Sequence, residues 1–252
     1  MRKYLMLTMA LVGLLAVSVA GMASAAGGGP VTVEAGNLKM TFNGKFTPST
    51  LPKKKAAPIM LSASGKIETK DGSFPPALKE VVIETDKNGG IDTKGVPVCK
   101  SGQLQSRDTK AAEKACGPAI IGKGKTLVGI KFPEQNEIPV KSPLLVFNGG
   151  TSGGKTTLFI HAYITVPTPA AIVTTVKIKK IHKGRYGLLS VASIPKIAGG
   201  NGSVREFSLT VGKQKTLFAK CPDGKLQANA SAKFADGTTI KNAGIVRTCK
   251  GT

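Results

Sequence analysis

The chain has 252 residues, a formal net charge of +22, 31 Gly, 15 Pro and no Trp. That length can bury a sizeable core as one large domain or two small ones, but the scarcity of aromatic rings removes the stacking platforms on which many sugar and single-strand binders depend. Of 36 basic residues, 31 are Lys, which lacks the planar fork that grips guanine or phosphate; this points to diffuse attachment to anionic surfaces and away from sequence-specific nucleic-acid recognition.

Arg2 and Lys3 precede an apolar run over 5–19 and a small-residue site at Ala23-Ser24-Ala25, the pattern of a cleavable signal peptide over 1–25. The run is shorter than the roughly 20 residues of a spanning helix, and no cysteine stands near the cleavage site to accept a lipid. Cleavage leaves 252 − 25 = 227 residues at +20, expected to be secreted or held non-covalently at the envelope, without a transmembrane segment. After a Gly-rich leader, stretches rich in Val, Ile, Thr and Phe predict strands at 31–34, 38–46, 59–67 and 79–85, with turns at Asp71-Gly72 and Asn88-Gly89. A short polar helix is expected at 107–115, then strands at 125–132, 144–147, 157–166, 172–181, 188–194, 204–211 and 216–220. Near the end, Leu226, Ala228, Ala230, Ala232 and Phe234 alternate with polar neighbours, Asp236-Gly237 signals a hairpin turn, and a partner strand follows at 238–248. The expected fold is all-β: an antiparallel β-sandwich of jelly-roll or immunoglobulin-like type. It is read as two similar units over 26–166 and 170–252 joined at Pro167-Thr168-Pro169, or as one large sandwich over 30–252.

Export puts Cys99, Cys116, Cys221 and Cys249 in an oxidising compartment, where an even number of thiols means disulfides. Cys221 and Cys249 flank the last hairpin symmetrically and would meet at its open end, which favours local pairing, Cys99 with Cys116 and Cys221 with Cys249; each bridge would contribute roughly 3 kcal/mol. A zinc site would need a close CxxC knuckle that neither pair has. The run from Cys99 to Gln105 matches that from Cys221 to Gln227 as C-x-x-G-x-L-Q, which either a duplicated β unit or a recurring Gly turn would produce.

Four patterns bear on chemistry. Gly149 to Thr156 fits G-x-x-x-x-G-K-[ST], yet the residues after it alternate like a strand where a phosphate-binding loop opens a helix, so a Gly-rich hairpin loop is expected. His161 and Tyr163 share one strand face and suit an exposed or cross-strand-paired surface better than an acid–base pair. Asp86 to Asp92 begins like a calcium loop but lacks the closing acid, Pro97 standing in that place, so a plain Asn-Gly turn is expected. The densest charge feature is Lys177, Lys179, Lys180, His182, Lys183 and Arg185, with Lys53-Lys54-Lys55 as a second run. Such clusters hold a protein against an anionic envelope polymer or lipid surface, or protect a strand edge from aggregation.

The stretches 161–169, 177–187 and 193–200, with the region from Pro97-Val98-Cys99 to Cys116-Gly117-Pro118-Ala119, resemble those of secreted, β-rich proteins of actinobacterial type. The resemblance covers most of the mature chain and implies export and a β-rich fold, but no activity or site. The functional expectation is an exported, non-enzymatic protein, without cofactor or metal, that associates with an anionic envelope or extracellular component through its Lys-rich surface. A secreted hydrolase with a site assembled across strands and a purely structural protein are the alternatives.

Overall fold

The computed structural model describes residues 28–252, so the signal-peptide reading of 1–25 lies outside the described residues. The strands are β1 (Val31–Ala35), β2 (Leu38–Thr47), β3 (Thr50–Leu51), β4 (Ala57–Pro58), β5 (Met60–Thr69), β6 (Leu78–Asp86), β7 (Gly89–Ile91), β8 (Ile120–Ile130), β9 (Ile138–Ser152), β10 (Lys155–Ile164), β11 (Ala170–Lys183), β12 (Tyr186–Ser193), β13 (Gly202–Val211), β14 (Leu217–Ala219), β15 (Lys225–Phe234), β16 (Thr239–Thr248) and β17 (Lys250–Gly251). One α-helix, α1 (Thr109–Cys116), lies between β7 and β8, its first turn capped by Asp108, which accepts the Ala111 N–H at 2.7 Å.

The fold is all-β and antiparallel, but its layout differs from two sheets packed face to face. Twelve strands join one sheet in the order β1-β2-β5-β13-β8-β9-β10-β11-β12-β6-β15-β16. Every neighbour runs antiparallel, and the sheet curls until β16 lies beside β1, nearly closing a barrel. An even number of antiparallel strands lets the two edges meet in opposite directions. The sheet draws on both sides of Pro167-Thr168-Pro169: β13 sits between β5 and β8, and β6 between β12 and β15. That Pro-containing segment is itself a short connection between paired neighbours, β10 and β11.

β9 runs for 15 residues, far beyond the expected 144–147, because Pro139 and Pro143 mask it in the sequence. β10 pairs with β9 only as far as Leu145. Beyond that point the β10-facing edge needs no backbone donor, and Ser142 Oγ accepts the Tyr163 N–H at 2.9 Å instead.

Connections alternate between two ends of the barrel. At one, the lid, β4, β14 and β7 form a three-stranded sheet and β17 pairs with β3. At the other, the floor, segments 70–77 and 194–201 cross from β5 to β6 and from β12 to β13. Disulfides join Cys99 to Cys116 and Cys221 to Cys249, which fits an oxidising compartment. The second lies under the lid with Leu51 and Ala219. The first ties α1 to the outer face of β9 and β10 over Leu145, Phe147 and Phe159. The C-x-x-G-x-L-Q echo ends at the turn: its first copy becomes a 3-10 turn at Ser101–Gln103, its second enters β15.

Candidate functional site

Side-chain alternation decides what faces the inside. Val81 and Ile83 on β6, Ile172, Val176 and Ile178 on β11, Leu188 and Ala192 on β12, and Leu209 and Val211 on β13 line an interior cavity of about 460 Å³. Ile91 and Phe218 of the lid and Ile194 and Ile197 of the floor close its ends. In a packed core these side chains would be fully buried. Ile83, Ile160, Ile172, Leu188 and Leu209 are instead only partly buried although they point to the centre, because they abut open space. The physical reason is strand number: about eight strands enclose an interior that side chains can fill, and diameter grows with each strand added. Small lining residues such as Ala63, Ala162, Ser190 and Ala228 enlarge the space further. The volume falls within the roughly 300–1,000 Å³ of small-molecule sites.

The outer face carries Lys177 and Lys179 on β11 and Glu80 and Glu84 on β6, so the barrel is apolar inside and charged outside, the reverse of a membrane-spanning barrel. Among the described residues, no helix is long and apolar enough to cross a membrane.

Charged groups that line the cavity gather at the lid end. Asp86 is 3% exposed and accepts from Arg185 Nε at 2.6 Å, from the Asn88 N–H and Nδ2 at 2.9 Å each, and from the Gln227 N–H at 3.0 Å. Arg185 also grips the Asp223 carboxylate and donates to the Lys225 carbonyl at 2.7 Å. Asp223 first, then Asp86, holds the guanidinium above its ordinary pKa, and Asp223 is lowered in turn by Arg185. Arg247 of β16 is 9% exposed. It donates through Nε to the Gly44 carbonyl, through Nη1 to the Val246 carbonyl at 2.7 Å, and through Nη2 to the Gly29 carbonyl at 2.8 Å and Asn43 Oδ1 at 3.0 Å. Burial alone lowers its pKa.

The basic cluster divides. Lys177 and Lys179 point outward and are exposed, with Lys155 directly across from Lys179 in the β10–β11 register. Lys180 and His182 are exposed near the lid end, while Lys183 pairs with Glu84 at 2.8 Å. Arg185 is occupied by its two carboxylates and ties the β11–β12 turn to β6 and to the start of β15. The Gly149 to Thr156 motif is the hairpin turn between β9 and β10, and Asp86 to Asn88 is the turn from β6 into β7. His161 points out of the barrel, yet the segment before α1 covers it completely: it is 0% exposed, with Nε2 bonded to the Arg107 carbonyl at 3.0 Å. Burial pushes its pKa down, opposed by the Arg107 carbonyl and by Asp108. The cavity and Arg247 escape sequence reading. The available signal was an arginine on the apolar alternation of β16, two residues after Ile245 and four after Ala243. No family model, curated protein or solved structure matches this chain.

Proposed function

We propose that the chain is an exported, non-enzymatic binding protein that carries an apolar small molecule inside its barrel. The carrying observation is the cavity of about 460 Å³, lined by aliphatic side chains that the fold leaves partly uncovered at its centre. Apolar surface turned inward against open space gains by taking up an apolar guest. The test is titration of the oxidised protein with the uncharged fluorophore N-phenyl-1-naphthylamine. Saturable, one-to-one binding is expected, weakened by Ala192→Leu, which narrows the cavity. Absence of saturation, or binding indifferent to that substitution, overturns the reading.

A second observation favours association with an anionic envelope polymer or lipid surface. The lid-end segments 48–59, 87–96, 181–185, 212–224 and 249–252 hold 11 Lys or Arg and 2 Asp, a net 11 − 2 = +9. The floor segments 36–37, 70–77, 131–137, 165–169, 194–201 and 235–238 hold 3 Lys and 4 acids, a net 3 − 4 = −1. Of the two ends, the lid therefore carries the positive charge, and Lys177, Lys179 and Lys180 continue it along β11. Retention on anionic vesicles should fall steeply with salt. Combined Lys53, Lys54 and Lys55 to Gln substitution should weaken it more than substitution of Lys70, Lys131 and Lys196 at the floor; equal effects would remove the orientation from the reading.

A further inference from the structure

Resting on the cavity reading above, we infer that the occupant is a single-chain amphiphile whose anionic head, a carboxylate or a phosphate monoester, sits on Arg247 at the lid end. Arg247 lines the cavity and follows Ala243 and Ile245 on the inward alternation of β16. Its four hydrogen-bond partners are three carbonyls and one amide oxygen, all uncharged. Among the described residues, the other two part-buried arginines have acids: Arg185 faces Asp86 and Asp223, and Arg205 faces Glu137 at 2.5 Å. A buried cation without a counter-ion is disfavoured, and natural chains pair it or use it. The bonds of Arg247 do stitch β16 to β2 where no ladder joins them, but neutral oxygens require donors, not a net charge. The charge is what the wall leaves over, together with one unused Nη1 hydrogen.

Shape points the same way. The cavity-lining positions of β11 extend from Ile172 to Ile178, about 20 Å along the strand and roughly 15 Å along a tilted barrel axis. Spread over that length, about 460 Å³ leaves a mean cross-section of roughly 30 Å², which admits an extended alkyl chain, since chains whose carbons approach to about 4 Å each occupy roughly 14–20 Å². The apolar tail would run toward Ile194 and Ile197 and the head would stay with Arg247.

The experiment is displacement of N-phenyl-1-naphthylamine from the oxidised protein by dodecanoate, dodecyl phosphate and dodecanol, at about 0.3 M salt to screen the surface lysines. At least one of the two anions should compete about tenfold more tightly than the alcohol, and which one does so identifies the head. Arg247→Gln should bring all three within about twofold while the neutral fluorophore still binds. An alcohol that competes as well as both anions, or an anion preference that survives Arg247→Gln, overturns the inference. If the fluorophore itself fails to bind the native chain, the cavity reading falls first. Should Arg247→Gln not fold, the native comparison decides: preference for an anion that persists to about 0.5 M salt supports the buried arginine, and preference lost with salt overturns it in favour of surface charge.

Discussion

Replacing Ala192 by Leu measures the emptiness of the barrel. Ala192 lies on the inner face of β12, opposite Val176 on one side and Val81 on the other, and lines the cavity. In a filled core, inserting an isopropyl group forces neighbours apart and costs about 1–3 kcal/mol. Here three added carbons meet open space. At about 0.8 kcal/mol for each buried carbon they stabilise by at most about 2.4 kcal/mol, and the rotamer freedom lost by Leu, about 0.5–1 kcal/mol, reduces that. Ala192→Leu should therefore gain about 1 kcal/mol and weaken the fluorophore several-fold. Ala243→Leu is the contrast: Ala243 is 0% exposed on the next-to-last strand, packed in one cluster with Met40 and Ile240, and the same insertion there should cost about 1–3 kcal/mol. Urea unfolding of both oxidised variants, with unchanged m-values, gives the comparison. If Ala192→Leu loses as much as Ala243→Leu and leaves fluorophore binding untouched, the centre of the barrel is filled and the reasoning fails.

Removing the Cys221–Cys249 bridge by paired Ser substitution frees a segment of 28 residues and should cost about 3.5 kcal/mol in urea unfolding, against about 3 kcal/mol for the 17-residue Cys99–Cys116 segment. Burial lowers the His161 pKa in the folded chain, so the unfolded chain takes up the proton first. Its contribution is fully present above the ordinary value of about 6.5 and is lost as pH falls through the folded value, with a slope of up to about 1.4 kcal/mol per pH unit. Urea midpoints at pH 7 and pH 5 should therefore converge in His161→Phe; an unchanged difference would assign the acid sensitivity elsewhere. Asp86→Asn removes the carboxylate that meets Arg185, Asn88 and Gln227, and should cost about 2 kcal/mol in the same measurement, with a change below about 0.5 kcal/mol counting against the network.

Local signals carried most of the strand assignments. Alternation and Gly turns located β2, β6, β10, β11, β13, β15 and β16 to within a few residues, and the final hairpin carried its own disulfide logic. How those strands assemble was not legible, because a strand with one apolar face reads the same in a sandwich and in a barrel. Pairings such as β5 with β13 and β6 with β15 join residues more than a hundred positions apart, where no turn signal reaches. The cavity is a collective property of twelve strands, so no single stretch announces it. The Lys-rich run was visible as charge, and the bonding of Arg185 to Asp86, across a separation of 99 residues, was not. Arg247 illustrates the limit most plainly: in the sequence it ends an ordinary strand, and only closure of the sheet turns it inward.

The junction of β1 and β16 carries no backbone ladder, so side chains close the wall there. Elsewhere a row of main-chain bonds holds neighbouring strands; here the seal is made by the Arg247 guanidinium beside the lid and by the buried side chains of Met40, Ile240 and Ala243. The edge amides of β1 and β16 that face the junction should therefore exchange with solvent well before those of β9 and β10.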